Sequence, residues 1–537
     1  MKHCGLSTLL GILSVTRVTS SVKEDSRYWK KLGEDSIKDA LREDKNENLA
    51  KNVILFVGDG MGLSTIVAGR IFKGQMQGHS GEEGYLSFEK FKHVGLLKTY
   101  NVDRQVPDSA GTATALFSGI KGNYYAVGLD ATSVYNVCQP NVTKTAGVRT
   151  LIDWAIEAGK STGMVTTTRL THATPASSYA HCPHRDWECD TKIPETERGK
   201  GCKDIASQMV EDEPGRSINV LLGGGEQVFV AGINKTSVCT RGDGKNLPFQ
   251  WMKWHNSQNR TNAFVKNKAQ LMEVPDNINH VLGLFAPSHM PYDKDRDTSV
   301  NGEPSLEEMT TKAIQILSKN TKGYVLLVEG GRIDHAHHDN LAKIAMEEVA
   351  AFDAAIQKAL AMTKRSDTLI VVTADHSHAF TINGYPKRGN PIEGVGDVTP
   401  EGFAYETLSY INGPGYNYHR IDSADGINRT STLKTWKNLN LTENAKGRSV
   451  PHMAGFWMDS ETHGGEDVPV YASGPMAHLI HGVHEQTHVP YTIAYSLCIG
   501  PYFQDCRGPS PKPSSSTVIN ISVVAVIIST VVSLRLF

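Results

Sequence analysis

Three short apolar runs in this chain end on acidic residues. Val53–Val57 (VILFV) leads into Gly58-Asp59-Gly60, Tyr324–Val328 (YVLLV) into Glu329-Gly330-Gly331, and Leu369–Val372 (LIVV) into Thr373-Ala374-Asp375-His376. Carboxylates gathered in one place repel one another and resist ionisation unless cations share the site. Histidines accompany two of them, in Asp375-His376-Ser377-His378 and in Asp334-His335-Ala336-His337-His338. Asp334 and His338 stand four apart, so on a helical turn they face one side and can hold one ion. Imidazole with carboxylate suits Zn²⁺, and all-oxygen ligation suits Mg²⁺. A lone Asp–His pair is ordinarily a hydrogen-bonded structural histidine; two dense clusters at the ends of apolar runs favour ligation.

A different chemistry is written in Val106-Pro107-Asp108-Ser109-Ala110-Gly111-Thr112-Ala113-Thr114-Ala115. Small residues let the backbone approach a ligand, and a serine at a helix start sits among free N–H groups that favour an anion. A plain N-cap by Asp108 or Ser109 reads equally well from this stretch alone. A serine hydroxyl is a weak nucleophile until a base or a metal lowers its pKa. No G-x-S-x-G elbow surrounds Ser109, so activation by a metal is the more economical reading.

The elements that must position these groups alternate. Further apolar runs lie at Val220-Leu221-Leu222 and Val468–Ala472, and helical patterns cover Gly111–Phe117, Val148–Ala158, Leu306–Ser318 and Ala342–Met362. Strands apolar on both faces are ordinarily central strands of a parallel sheet covered by helices. The expected fold is therefore α/β, with three layers. Residues 26–46 read as a charged amphipathic helix. Residues 382–459, rich in Gly, Asn, Tyr and Pro, break the rhythm and read as a surface insertion or a long loop.

Composition bounds the rest. The 537 residues carry 55 basic and 57 acidic side chains, a net charge of −2, so no basic footprint for nucleic acid is expected. A mean hydropathy of −0.31 argues against a polytopic membrane protein. Residues 1–21 read as a signal peptide, with a buried first helix as the alternative. From residue 507 a Pro/Ser-rich spacer precedes an apolar tail, the layout of a GPI-attachment signal, with a tail anchor as the alternative. Asn141, Asn234, Asn259, Asn428 and Asn440 head N-x-S/T sequons that such a secretory route would expose to glycosylation. Eight cysteines, of which Cys4 falls in the signal, allow up to three disulfides. The close pairs are Cys182/Cys189 and Cys498/Cys506; Cys138/Cys202 would then leave Cys239 free. Spacing alone leaves this connectivity open.

Five motifs in order resemble one family: VILFVGDGMG, PDSAGTATAL, VEGGRIDHAHH, TADHSH and Thr462-His463-Gly464-Gly465-Glu466-Asp467 are similar to those of the alkaline phosphatases, and the tail is similar to that of their animal, cell-surface members. The resemblance spans residues 26–506. It implies a three-layer α/β/α sandwich around a large, mostly parallel sheet, with 382–459 as a crown-like insertion at a homodimer interface. It implies phosphomonoester hydrolysis at alkaline pH through a phosphoserine on Ser109. One zinc would be held by Asp334, His338 and His463, a second by Asp59, Asp375 and His376, and magnesium by Asp59, Glu329 and Thr174. Arg185 matches the phosphate-clamping arginine, and His172 and His335 match the animal pattern beside the metals. It also implies the disulfides Cys138/Cys202 and Cys498/Cys506, and an enzyme tethered to the outer face of the cell membrane. One departure concerns calcium: Ala286, in Phe285-Ala286-Pro287, stands where animal members carry a glutamate ligand. That puts calcium binding in doubt, with Asp297 or Glu303 as a weaker remnant.

Overall fold

The computed structural model describes residues 24–41, 45–233, 239–400, 402–416 and 447–504, with short backbone segments at 420–421 and 435–436. The chain divides into two units at residue 45. The first holds helix α1 (Ser26–Leu41), which buries no side chain. Asp25 caps it by accepting from the Arg27 and Tyr28 amides at 3.0 and 3.2 Å. Lys31 reaches Asp35 one turn on at 2.9 Å. With Trp29, Leu32, Ile37 and Leu41 exposed rather than buried, such a helix is held by caps and ion pairs of a few tenths of a kcal/mol each.

The second unit is built on ten strands: β1 (Asn52–Gly58), β2 (His93–Lys98), β3 (Ser161–Arg169), β4 (Val220–Gly224), β5 (Asn262–Val265), β6 (His280–Leu284), β7 (Tyr324–Gly330), β8 (Thr368–Ala374), β9 (Val468–Ser473) and β10 (Gly482–Glu485). Their order across the sheet is β10-β2-β9-β8-β1-β7-β3-β4-β6-β5. β1, β7 and β8, the runs that end on acidic residues, are neighbours in the middle, parallel and buried along their lengths. β9 is antiparallel to both β8 and β2. The expectation of a parallel strand at 468–472 is corrected here: burial on both faces produces a continuous apolar run in either direction, so the run carries no sign of strand polarity.

Two sets of helices cover the sheet. α2 (Leu63–Met76), α6 (Leu306–Leu317) and α8 (Ala342–Met362) pack together, with α6 on β3 and β7 and α8 on β1 and β7. α3 (Ser109–Ser118), α4 (Leu151–Glu157) and α9 (His488–Leu497) form the other set, with α4 on β3 and β7 and α9 on β1. The result is a three-layer sandwich around one core. The 382–459 segment departs from the layering. Phe380–Ile382 pairs antiparallel with Leu408–Gly413, which runs parallel to Ala454–Trp457. Phe380, Leu408, Tyr410 and Ala454 from this small sheet pack on Phe72 of α2 and Met346 of α8.

A disulfide joins Cys138 to Cys202, with Cα atoms 5.9 Å apart. A second joins Cys189 to Cys239, so the proposed Cys182/Cys189 pairing and a free Cys239 are both corrected. Cys182 is pinned in a bridge with Val127 and its buried, unpaired thiol donates to the His184 carbonyl. Cys506 lies outside the described residues, as do Asn234, Asn428 and Asn440; Asn141 and Asn259 are exposed.

Candidate metal centre

The register of the central strands sets the positions of the carboxylates. Gly58 lies opposite both Gly330 and Ala374, so Asp59 and Asp375 each stand one residue past aligned strand ends, and Glu329 sits across from Val57. Gly60 makes the turn after Asp59 at φ +67°, and a Cβ there would come within 2.2 Å of His378 Nε2. Only glycine fits both the conformation and the space. The Gly60 and His376 amides donate to one Asp375 oxygen at 3.0 and 2.9 Å.

Asp59 is fully buried, and neither of its oxygens has a hydrogen-bond partner. Glu329 is as deep; Thr166 and Thr168 donate to one oxygen and the other is left open. The hydroxyl of Thr174, close enough to Glu329 to affect its titration, has no partner of hydrogen-bonding geometry. Burial, reinforced by Asp334, Asp375 and Glu329, pushes Asp59 well above the usual carboxylate range. Burial lifts Glu329 to about 7 against the opposing hydrogen bonds. Buried anions left open in this way are retained only where a cation offsets them.

The histidines make the same case from their lone pairs. His338 Nδ1 donates to the Glu461 carbonyl at 2.5 Å and His463 Nδ1 to that of Pro107 at 2.7 Å. Both Nε2 lone pairs are thereby turned toward each other, 3.2 Å apart. Asp334 Oδ1 lies 3.3 Å from each of them. Two lone pairs and a carboxylate oxygen need a positive charge between them, a proton or a metal. A tetrahedron with bonds of roughly 2.0–2.1 Å has edges of roughly 3.3 Å, so this triangle matches one face of a zinc shell. Asp59, Asp375 and His376 form a second group with ligand atoms within 4.8 Å of one another, and Asp59, Glu329 and His172 a third. His376 Nδ1 faces the Ser377 carbonyl at 3.2 Å, which leaves Nε2 to face Ser109 Oγ at 3.1 Å and Asp59 at 3.5 Å.

Ser109 opens helix α3, whose N-cap is Asp108. The Asp108 carboxylate accepts from the Ala110 amide at 3.1 Å, Asn101 at 2.9 Å and Arg185 Nη1 at 3.2 Å. Gly111 is required beside it, because a Cβ there would strike the Asn101 side chain at 2.3 Å. Arg185 Nη2 lies 3.0 Å from His172 Nε2. Arg185, His335, His338 and His463 line a cavity of about 770 Å³. Of the site residues drawn from the sequence, His172, Arg185, Asp334, His335, His338 and His463 line that cavity, while Ser109, Asp59, Thr174, Glu329, Asp375 and His376 are buried outside its lining, with Ser109 facing His376.

Several residues were not singled out from the sequence. His378 Nε2 donates to Asp334 at 2.9 Å and its Nδ1 to Glu461 at 2.5 Å. Although burial alone would lower it, Glu461 and Asp334 push His378 up to about 10. Asp334, which burial alone would raise, is drawn well below the usual range by His338, His378 and His463. His378 stands two residues after His376 and Glu461 two before His463, so adjacency was the available signal. His289 had none: it reaches His172 and His335 from a distant loop, with ring centroids 5.1 and 4.3 Å away. Guanidinium groups already donate into this trio, Arg169 to His289, Arg332 to His335 and Arg185 to His172. The trio is therefore bordered by positive charge. Buried Ala286 offers only its carbonyl, which accepts from Gly225 and Glu226 at 2.9 and 3.1 Å.

Comparison with known proteins gives one answer. A family model described as alkaline phosphatase matches residues 50–499. The chain is 44% identical to alkaline phosphatase 4 of Drosophila melanogaster, covering 94% of this chain and 89% of that one. It is 43% identical to the tissue-nonspecific isozyme of alkaline phosphatase of Homo sapiens, covering 95% and 96%. The Thermus thermophilus alkaline phosphatase structure aligns with a TM-score of 0.58 at 22% identity, over 85% of this chain and 93% of that one, which shows the shared fold.

Proposed function

The chain belongs to the alkaline phosphatase family and hydrolyses phosphate monoesters to an alcohol and inorganic phosphate at alkaline pH, and we propose that it does so through a covalent phosphoserine on Ser109, aided by two zinc ions and one magnesium ion. The observation that carries this reading is the placement of Ser109 Oγ, 3.1 Å from an imidazole lone pair of His376 at the start of a buried helix.

In this reading Asp334, His338 and His463 hold one zinc, Asp59, Asp375 and His376 the other, and Asp59, Glu329 and Thr174 the magnesium. Bound there, the cations supply Lewis acidity that lowers the pKa of the serine hydroxyl and of the hydrolytic water and offsets charge on the departing oxygen. Arg185 grips two phosphate oxygens with its fork of donors. Asp108 keeps that fork aimed across the basin. The positive end of the α3 dipole adds partial positive charge behind the phosphate. Ser109 Oγ gives up its proton to solvent and attacks phosphorus as the ester P–O bond breaks, and the alcohol leaves with a proton from solvent. Water then gives up a proton and attacks phosphorus, the Oγ–P bond breaks, Oγ takes a proton back, and phosphate leaves. No side chain among the described residues is dedicated to the leaving group as an acid, so breadth among phosphomonoesters is expected. His172 and His335 border the site; in this reading they orient Arg185 and the metal ligands rather than react.

The same proposal places the enzyme outside the cell. Residues 1–21 act as a signal peptide, 26–506 form the catalytic body, 382–459 are a crown-like insertion at a homodimer interface, and 507–537 direct GPI attachment. No helix among the described residues is long and apolar enough to cross a membrane. The decisive experiment is hydrolysis of a chromogenic phosphomonoester at alkaline pH with metal content measured on the same sample. Full activity after verified removal of zinc would sink the two-zinc reading.

A further inference from the structure

The acidic centre occupies the carboxyl ends of the parallel strands, and their amino ends carry the opposite charge. Lys51 precedes β1, Lys160 precedes β3, Lys322 precedes β7, and Lys364 and Arg365 precede β8. The register brings these starts to one level, with Ser161 opposite Tyr324 and Asn52 opposite Thr368. Lys160 Nζ donates to the carbonyls of Lys51 and Lys322 at 2.9 and 2.7 Å. Lys322 Nζ closes over Gly159, where a Cβ would come within 2.9 Å of it. Lys51, Lys322, Lys364 and Arg365 are exposed, and Lys160 is half-buried. Two carboxylates at this end are already engaged: Asp367 accepts from the Thr368 hydroxyl, and Glu157 pairs with Arg149. Burial and the neighbouring Lys51 push the Lys160 amine down to about 8, the response of a cation with too little negative charge around it.

The chain leaves its body at this same end. The Ala50 amide, beside Lys51, donates at 2.7 Å to the carbonyl of Ser496 in the last turn of α9. Past α9, Gly500 lies so close to Trp154 of α4 that a Cβ would come within 2.5 Å of the ring. Cys498 is near enough to Lys160 to affect its titration. The described residues end at Gln504. The spacer 507–516, RGPSPKPSSS, adds two cations and spans at most ~36 Å fully extended. The metal centre stands a strand's length further off, ~23 Å for the seven residues of β1. A bilayer that holds the tail therefore meets the lysines before it meets the centre.

We propose that this lysine-bearing end of the sheet is a docking face for the anionic headgroups of a membrane, with Lys51, Lys322 and Lys364 as its contacts, and that it seats the tethered enzyme with its metal centre turned outward. This rests on the GPI-attachment reading of residues 507–537. Basic side chains near an acidic bilayer are attracted to it only within about a Debye length, so such a patch acts where a tether keeps it close. A lipid anchor combined with a basic patch holds more firmly than either alone.

The test uses enzyme released from cell membranes by a phosphatidylinositol-specific phospholipase C, which leaves the folded chain whole, and follows its co-sedimentation with vesicles by phosphatase activity. Released activity is expected to sediment with vesicles containing phosphatidylserine, not with pure phosphatidylcholine, and to come off as salt is raised. The triple variant Lys51→Gln, Lys322→Gln, Lys364→Gln is expected to lower that partition about a hundredfold, roughly fivefold per cation. Its hydrolysis of phenyl phosphate in solution is expected to be unchanged. A control that neutralises exposed lysines elsewhere, Lys253→Gln, Lys294→Gln, Lys387→Gln, is expected to lower the partition less than about fivefold. If the first triple variant lost solution activity, Lys51→Gln with Lys322→Gln would replace it, with roughly a 25-fold loss expected. Equal binding to both kinds of vesicle, an unchanged partition in the variant, or an equal loss in the control overturns the docking face. Retention on heparin without vesicle binding overturns the lipid assignment. Failure of the phospholipase to release any activity would instead undo the anchor reading, and the proposal with it.

Discussion

His378 holds Asp334 in place: its Nε2 donates to Asp334 Oδ1 at 2.9 Å while Glu461 grips the other side of the ring. The imidazole is kept cationic between two buried carboxylates and fixes the oxygen that also faces His338 and His463. Partners of this kind, one step behind a ligand, typically change metal affinity by about 10–100-fold. His378→Ala is therefore expected to weaken zinc retention by that factor in competition with a chelator, and excess zinc should return most of the activity. Unchanged zinc affinity would contradict the role.

Removing cations leaves the open oxygens of Asp59 and the facing nitrogens of His338 and His463 without compensation. Dialysis against a chelator is expected to abolish activity and lower the melting temperature, with zinc and magnesium together restoring both. The reversal should be steeper at alkaline pH, where a proton can no longer stand in for the metal between the two histidines. Calorimetry with and without chelator reads this directly.

Ser109→Ala removes the hydroxyl that the α3 turn places beside His376 Nε2. Its expected phenotype is loss of acid-stable labelled phosphate on the protein after quenching a reaction with labelled substrate. Label trapped on that variant would reassign the nucleophile.

For Arg185→Ala, the expected change is a rise of roughly 10–100-fold in the inhibition constant for inorganic phosphate, the worth of about 1.5–3 kcal/mol of charged hydrogen bonding. An unaltered constant would remove Arg185 from the phosphate site.

Glu348 offers a test of stability apart from catalysis. Fully buried on α8, it accepts from the Asp293 amide, and burial raises its carboxyl to about 7 from an ordinary 4.5. The folded chain keeps this proton while the unfolded chain has released it, so the group lowers stability progressively from about pH 4.5 to pH 7. Glu348→Gln, which keeps the acceptor without the charge, is expected to be up to about 3 kcal/mol more stable than wild type at pH 9 and close to it at pH 4. Denaturant unfolding at the two pH values reports the difference; a gain at pH 4 alone would reverse the sign argued here.

Much of the centre was readable because its ligands follow apolar runs. Asp59, Glu329 and Asp375 stand at or just past the ends of three buried strands, and the spacing of Asp334 and His338 carries a helical period. His463 is different: no periodicity marks it, and only its motif within the family resemblance singled it out. His289 reaches the basin through tertiary packing alone. The Cys189–Cys239 bridge likewise joins residues 50 apart in sequence, where counting neighbours favoured Cys182. The direction of β9 was hidden because a doubly buried strand looks alike in either orientation.

The aligned ends of β1, β7 and β8 carry a further meaning for how this catalyst can vary. Neighbouring strands in any sheet lie roughly 4.7–4.9 Å apart, a distance dictated by the peptide hydrogen bond. Side chains launched from adjacent strands at one level inherit that interval, so the backbone serves as a ruler for how far apart Asp59 and Asp375 stand. Surface loops can lengthen, acquire sugars or trade cysteines without disturbing that gauge. A slip of one residue between β1 and β8 would turn Asp59 or Asp375 to the opposite face and erase it.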